Sequence, residues 1–344
     1  MPERSGRGSR PRPVRRNRAA LLLAAFGILG SALSAVAKGT IVTFNPGGAD
    51  GTQAYGVNDS GTVTGDYGYE TEQAHGFLRT ADGTITTFDP SGSTSTLAMA
   101  INDAGTVAGF YLDGIGRVHG YVRTAAGTIT TFDAEEGGYT YTRGISGKGA
   151  VTGFVYDSNQ QYSQAFIRSP GGKITRINPF GGDEAAAYGI NASGEITGYY
   201  VSGSHSHGFV AKAKGRITSF DVPQAIDTGG ASINDSGEVA GSYDDANYNV
   251  HGFFRTADGQ ITTFDVPQCG GTSPAQINNR GEILGTCGEK RRGVGFVRKA
   301  NGTFVVFRVP GMRDTGAAGI SGNGLITGSY SDRNKIDEGF LRTP

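Results

Sequence analysis

The sequence predicts an all-β fold, a seven-bladed β-propeller of four-stranded antiparallel blades closed by its N-terminal strand, and three observations carry that reading. First, a run resembling Ile-Thr-Thr-Phe begins at Thr40, Thr84, Thr128, Lys173, Arg216, Gln260 and Thr303, at spacings of 44, 44, 45, 43, 44 and 43 residues. Second, each interval holds four short β-prone runs, which in residues 231–266 read ASIN, EVAGSY, HGFFRT and QITTFD. Turn signals separate them, Asn234-Asp235-Ser236-Gly237 after the first and Ala257-Asp258-Gly259 after the third. Gly takes φ > 0 freely there, and Asn or Asp bonds its own backbone. Third, the array begins with the last strand of a unit, 40–44, and ends with the third strand of another, 338–342. Left apart, these would be two open edges, so the first is expected to complete the seventh blade. An open solenoid would need polar caps, and none is visible.

Taken in order, residues 1–37 differ in kind from the rest. Seven arginines between Arg4 and Arg18 precede an apolar run over 19–37 that ends Ala35-Val36-Ala37, the pattern of a signal peptide cleaved before Lys38. A retained membrane anchor is the alternative, weakened by Gly27, Gly30, Ser31 and Ser34. Residues 38–344 read as one propeller domain. Gly is 58 of 344 residues and recurs with the repeat, so it serves backbone geometry and not disorder. Removing the leader leaves 24 basic and 30 acidic residues, and this mildly acidic body argues against nucleic-acid binding. No membrane contact is expected after cleavage, and the mature protein is expected to be a monomer.

The third strand of the unit carries a repeated tripeptide: His75-Gly76-Phe77, His119-Gly120-Tyr121, His207-Gly208-Phe209 and His251-Gly252-Phe253. With this repeat over the whole mature region, the chain resembles the extracellular HAF-repeat family, named for His-Ala-Phe. The resemblance implies a bacterial, exported, propeller-like protein and no particular activity. The chain departs from the pattern at Gln164-Ala165-Phe166, Val294-Gly295-Phe296 and Glu338-Gly339-Phe340, so the His is dispensable within a blade.

Fourteen residues after each His stands an Asp: His75 with Asp89, His119 with Asp133, His207 with Asp221 and His251 with Asp265. Where the His is missing, so is the Asp: Gln164 is matched by Asn178, Val294 by Arg308 and, through closure, Glu338 by Asn45. Antiparallel pairing puts the two positions on adjacent strands. Four copies in four blades cannot converge on one substrate, so the couples read as structural clamps and not as catalytic dyads. His205 and His207 share a strand face, but no third ligand is indicated and no metal site is expected.

The third-strand aromatics, from Phe77 to Phe340, read as core between blades. Tyr67, Tyr111, Tyr200, Tyr243 and Tyr330 end the second strand and are candidate ligand-binding residues, against the plainer reading of packing with a wet hydroxyl. Tight turns fall on one face of the ring. The longer connections, such as 244–250, 157–163 and 331–337, fall on the other, where Asp332, Asn334 and Asp337 lack the spacing of a calcium loop. Variable loops on a rigid scaffold are where binding lives. Cys269 and Cys287 are brought to one face by the meander, and an oxidising compartment predicts a disulfide worth roughly 3 kcal/mol.

No nucleophile elbow, phosphate loop or Cys/His zinc cluster is present. The sequence thus predicts no cofactor and no catalytic residue. It predicts an exported binding or scaffold protein whose variable-loop face meets a glycan or another exported protein, with a secreted carbohydrate hydrolase or lyase as the alternative.

Overall fold

The computed structural model describes residues 39–48, 51–68, 73–182, 184–212, 215–288, 293–331 and 336–344. The expected leader lies outside them. The strands form seven four-stranded antiparallel sheets, and the chain is a seven-bladed β-propeller. Blades 1 to 6 occupy residues 52–88, 93–132, 139–177, 184–220, 227–264 and 272–307, each a simple meander from an inner strand at the axis to an outer strand at the rim. Blade 7 takes three strands from the C-terminal end, Asp314–Ile320, Ile326–Ser331 and Asp337–Arg342. Its outer strand is Ile41–Phe44, paired so that Ile41 faces Arg342 and Phe44 faces Gly339. The edge that the repeat phase left open is closed by the other end of the array.

Every inner strand carries a β-bulge at the same place. The second-strand glycine opposite is obligatory for that approach: a Cβ on Gly153 would lie 1.9 Å from the carbonyl oxygen of Tyr141. The bulge brings Tyr55, Met99, Arg143, Tyr188, Ala231, Ala275 and Ala318 to the lining of an axial cavity of about 190 Å³. Bulges that re-aim single side chains are common beside functional sites.

Away from the axis, one interlock repeats. The outer-strand Phe lies over the third-strand Gly of its own blade, where a Cβ on Gly120 would come within 2.5 Å of the Phe132 ring. The same ring meets the next blade's buried third-strand aromatic edge-on, Phe132 against Phe166 at 6.0 Å, and the next blade's Arg168 covers its face at 4.8 Å. Six seams are built this way, with Arg79, Arg123, Arg168, Arg255, Arg298 and Arg342 as the covers. The seam between blades 3 and 4 has lost all three parts at once, with Ile177 for Phe, Ala165 for Gly and Ala211 for Arg. A cleft of about 410 Å³ opens there, lined by Ile177, Ala211 and Ile217 among others. Ala165 is tolerated because no ring lies on it.

A second lock runs around the tight-turn face. Buried Asn58, Asn102, Asn191, Asn234 and Asn278 each donate Nδ2–H to the carbonyl of the matching turn residue one blade on, at 3.1–3.2 Å. Their Oδ1 atoms accept a backbone N–H four residues later within the same turn. Ser146 and Ser321, at the same position in blades 3 and 7, keep only the local bond.

The interlock makes a double-mutant prediction. Gly120→Ala should cost about 1–3 kcal/mol by overpacking, and adding Phe132→Ile should recover part of that loss, since the pair then copies Ala165 and Ile177. Urea unfolding of the cycle decides it: costs that simply add would break the proposed coupling.

Candidate functional site

The four His–Asp positions are hydrogen-bonded through Nδ1: His75 to Asp89 at 2.8 Å, His119 to Asp133 at 2.7 Å, His207 to Asp221 at 2.9 Å and His251 to Asp265 at 2.9 Å. Two of the rings sit between two carboxylates, because Nε2 of His119 lies 3.3 Å from Asp113 and Nε2 of His251 lies 3.5 Å from Asp245. Burial lowers the pKa of His119 and of His251, but the bonds and charges of their aspartates outweigh it and raise both above the ordinary value. Among the described residues, no group of three or more His, Cys, Asp and Glu is arranged to hold a metal ion.

The five second-strand tyrosines are directly opposite these positions. Tyr67, Tyr111, Tyr200 and Tyr243 pair across the strands with His75, His119, His207 and His251, with ring centroids 5.0–5.5 Å apart. Tyr330 instead donates its hydroxyl to Glu338. These rings are spent on packing within the blade, and only Tyr243 and Tyr330 also border clefts near the axis. Where the His is lost in blades 3 and 6, the Tyr is lost too, replaced by Val155 and Cys287. Cys287 uses its place to form a disulfide with Cys269.

A different constellation breaks the repeat. The residue after the second-strand glycine reaches toward the next blade's inner strand, and round the ring it reads Asp66, Phe110, Phe154, Tyr199, Ser242, Thr286 and Ser329. Three consecutive seams are thus aromatic. Phe110 meets Tyr141 at 5.2 Å, Tyr141 stacks on Phe154 at 5.0 Å, and Tyr188 stacks on Tyr199 at 6.1 Å. Arg143 lies over Phe154 and Tyr188, 5.5 and 5.8 Å from their centroids. Tyr199 donates its hydroxyl to Glu184 at 2.6 Å. The result is an aromatic wall across blades 2 to 4, from which Tyr188 and Arg143 reach the lining of the axial cavity.

The seams beyond the aromatic ones are small and acidic. Asp227 and Asp314 are held by backbone N–H groups of the preceding blade, from Ser206 and Gly293. Asp244 is cross-strand from Asp227, and burial together with the neighbouring Asp227 and Asp245 charges raises its pKa, against the pull of His251. Asp66 is the most perturbed carboxyl among the described residues. It is 2% exposed, its Oδ1 has no hydrogen-bond partner, and it borders a cleft of about 540 Å³ with Gln53, Tyr55, Ser95, Leu97 and Asp337. Burial pushes its carboxyl up to about 7, opposed by a hydrogen bond from Tyr55.

The same face carries the exposed apolar side chains. Ile115, Tyr162, Phe180 and Tyr248 are four of the five large hydrophobics exposed among the described residues, and all four sit in connections after second or outer strands. Phe180 and Tyr248 have φ of 55° and 61°, a strained region for bulky residues that clusters at ligand sites. Asp332 and Asn334 of the last connection lie outside the described residues.

No family model matches the chain, and no curated protein does. Solved structures do. TolB from Acinetobacter baumannii superposes with a TM-score of 0.52 at 16% identity, over 74% of this chain and 62% of TolB. The β-propeller domain of the Trilobed protease from Pyrococcus furiosus, described as having an open velcro topology, gives 0.58 at 8% identity over 86% of this chain and 94% of that one. A puromycin hydrolase gives 0.56 at 14% identity over 84% of this chain, which spans only 51% of the hydrolase. These likenesses establish the propeller fold alone. Among the described residues no helix is long and apolar enough to cross a membrane.

Sequence reading did not single out Asp66 or the aromatic wall. Aligning the units by the second-strand glycine and looking for the column that fails to repeat would have found both.

Asp66 gives a pH-dependent prediction. A carboxyl whose pKa is 3.8 when unfolded and about 7 when folded holds a proton in the fold that it loses on unfolding. Stability should therefore fall as pH rises between those values, with the full penalty above them. Asp66→Asn should unfold at a higher temperature than the parent at pH 8 and at the same temperature near pH 4. Equal midpoints at both pH values would show that the carboxyl is not strained.

Proposed function

We propose that the protein is an exported binding module that takes a glycan at the axial mouth of its variable-loop face. The aromatic wall of Tyr141, Phe154, Tyr188 and Tyr199 carries the reading. Half-buried Tyr141, Tyr188 and Tyr199, braced by buried Phe154 on rigid strands, offer aromatic surface against which the apolar side of a sugar packs at little entropic cost, and the neighbouring carboxylates accept its hydroxyls. Rigid strands are better for this than loops, because the geometry is paid for in folding and not in binding. The Arg-rich, apolar leader supports export, and the His-Gly-Phe repeats support kinship with extracellular HAF-repeat proteins.

Asp66 favours a second reading, a secreted glycoside hydrolase. A carboxyl that holds its proton near neutral pH is suited to general-acid work, and the clefts beside it supply Asp337 and Asp314 as further carboxylates. The two readings part on turnover. Titration of the mature protein against a panel of oligosaccharides should give saturable binding with no product, weakened at least about tenfold by Tyr141→Ala or Tyr188→Ala in a folded protein. Release of shortened sugar, abolished by Asp66→Asn, would replace the first reading with the second.

A further inference from the structure

We infer that Arg143 is a carboxylate-binding site, and that the glycan received at the axial mouth is an acidic one, bearing uronic or other carboxylated residues. The second half of this inference rests on the binding reading above; the first does not.

The other arginines that cover aromatic faces have an evident structural task. Arg79, Arg123, Arg168 and Arg255 lie in the outer seams and donate Nη1–H to the carbonyl of the following residue, at 3.2–3.4 Å. Arg143 belongs to no such seam. The bulge of its inner strand brings it to the axial lining, where among the described residues it is the one charged side chain of the cavity, and the other bulge positions there are Tyr, Met or Ala. Among the described residues it makes no hydrogen bond or ion pair, whereas Arg123, Arg168 and Arg255, whose Nε atoms are likewise buried without a partner, each place Nη1 on a carbonyl. The Arg143 guanidinium lies over the adjoining rings of Phe154 and Tyr188, whose centroids are 6.4 Å apart. The nearest acidic member of the wall, Glu184, is occupied by the hydroxyl of Tyr199.

A guanidinium left without acceptors in a half-dry site costs stability that the faces of Phe154 and Tyr188 offset only in part. A ligand carboxylate supplies two acceptors in the geometry of the fork, and the low-dielectric aromatic surroundings strengthen the pair. Charge then fixes orientation. Among the described residues Arg143 is the charged member of the axial lining, while Asp66, Asp227, Asp244 and Asp314 border the neighbouring clefts. A sugar with its carboxylate on Arg143 turns hydroxyl donors toward those aspartates, and reversal would set like charges together. A neutral glycan would offer the guanidinium hydroxyl oxygens but no charged, two-oxygen acceptor.

The test is calorimetric titration of the mature protein with oligogalacturonate, with its methyl ester, which is neutral but equal in shape, and with benzoate, a ring and a carboxylate without a sugar. The acid should bind at least about tenfold more tightly than the ester. High salt should narrow that gap without touching the ester. Arg143→Gln should erase the gap, and Arg143→Lys should keep part of it, with circular dichroism checking that each variant is folded. The comparison of acid with ester needs no variant, so misfolding of Arg143→Gln leaves it decisive. Equal binding of acid and ester would overturn the acidic class and leave the glycan reading standing. Benzoate binding that depends on Arg143, with neither sugar bound, would uphold the carboxylate site and remove the glycan. Failure of all three probes would remove both.

Discussion

The interaction on which this ring depends is the outer-strand phenylalanine that spans two blades. Its ring rests on a glycine of its own sheet, points at the buried aromatic of the next and is capped by that blade's arginine. One side chain therefore couples neighbouring sheets through shape, edge-to-face aromatic contact and cation–π attraction together. No single blade buries its faces alone, and in repeat proteins stability comes from such nearest-neighbour terms. Phe44 performs the same task across the closure, 5.8 Å from Phe77 and under Arg79 at 5.1 Å. The strand that carries it thus completes one sheet and supplies the seam to another.

The seam between blades 3 and 4 shows what happens when the interlock is released. With Ile177, Ala165 and Ala211 in place of ring, glycine and arginine, the rim is hollow. At the axis the same two blades carry Phe154, Arg143 and Tyr188. Aromatic and guanidinium groups are missing from this seam at the rim and present at its axial end, where Arg143 and Tyr188 line the cavity. The asparagine bonds of the tight-turn face tie successive blades in five places, so the opposite face is free to vary in sequence and to hold strained residues such as Phe180 and Tyr248.

Much of the fold was legible because its determinants recur. The period, the four-strand unit and the phase of the repeat at the two ends of the array dictated seven blades and a shared last blade. The fourteen-residue spacing from His to Asp was enough to pair them across a turn. The candidate site was harder to read, and for a physical reason. Alternation assigns residues to two faces of a sheet, but the bulge in each inner strand inserts a residue that belongs to neither and turns Arg143 and Tyr188 toward the axis. Tyr67, Tyr111, Tyr200, Tyr243 and Tyr330 drew attention because they repeat, and repetition is the mark of packing; each is used against the side chain opposite, as Tyr111 is against His119. Asp66 is informative for the contrary reason: its counterparts are aromatic or small, and only the folded chain shows that its carboxyl is buried with an oxygen unpartnered.

Closure by the N-terminal strand is the claim from which the rest of the account follows, and thermal unfolding of two truncations tests it directly. A chain beginning at Thr40 should unfold in one transition. A chain beginning at Pro46, without the outer strand of blade 7 and the Phe44 ring, should lose about 10 °C or more of its midpoint, with a broadened transition as the exposed edge of 337–342 frays first. Coincident transitions for the two chains would contradict the account, because the ring would then be held by something other than its closing strand.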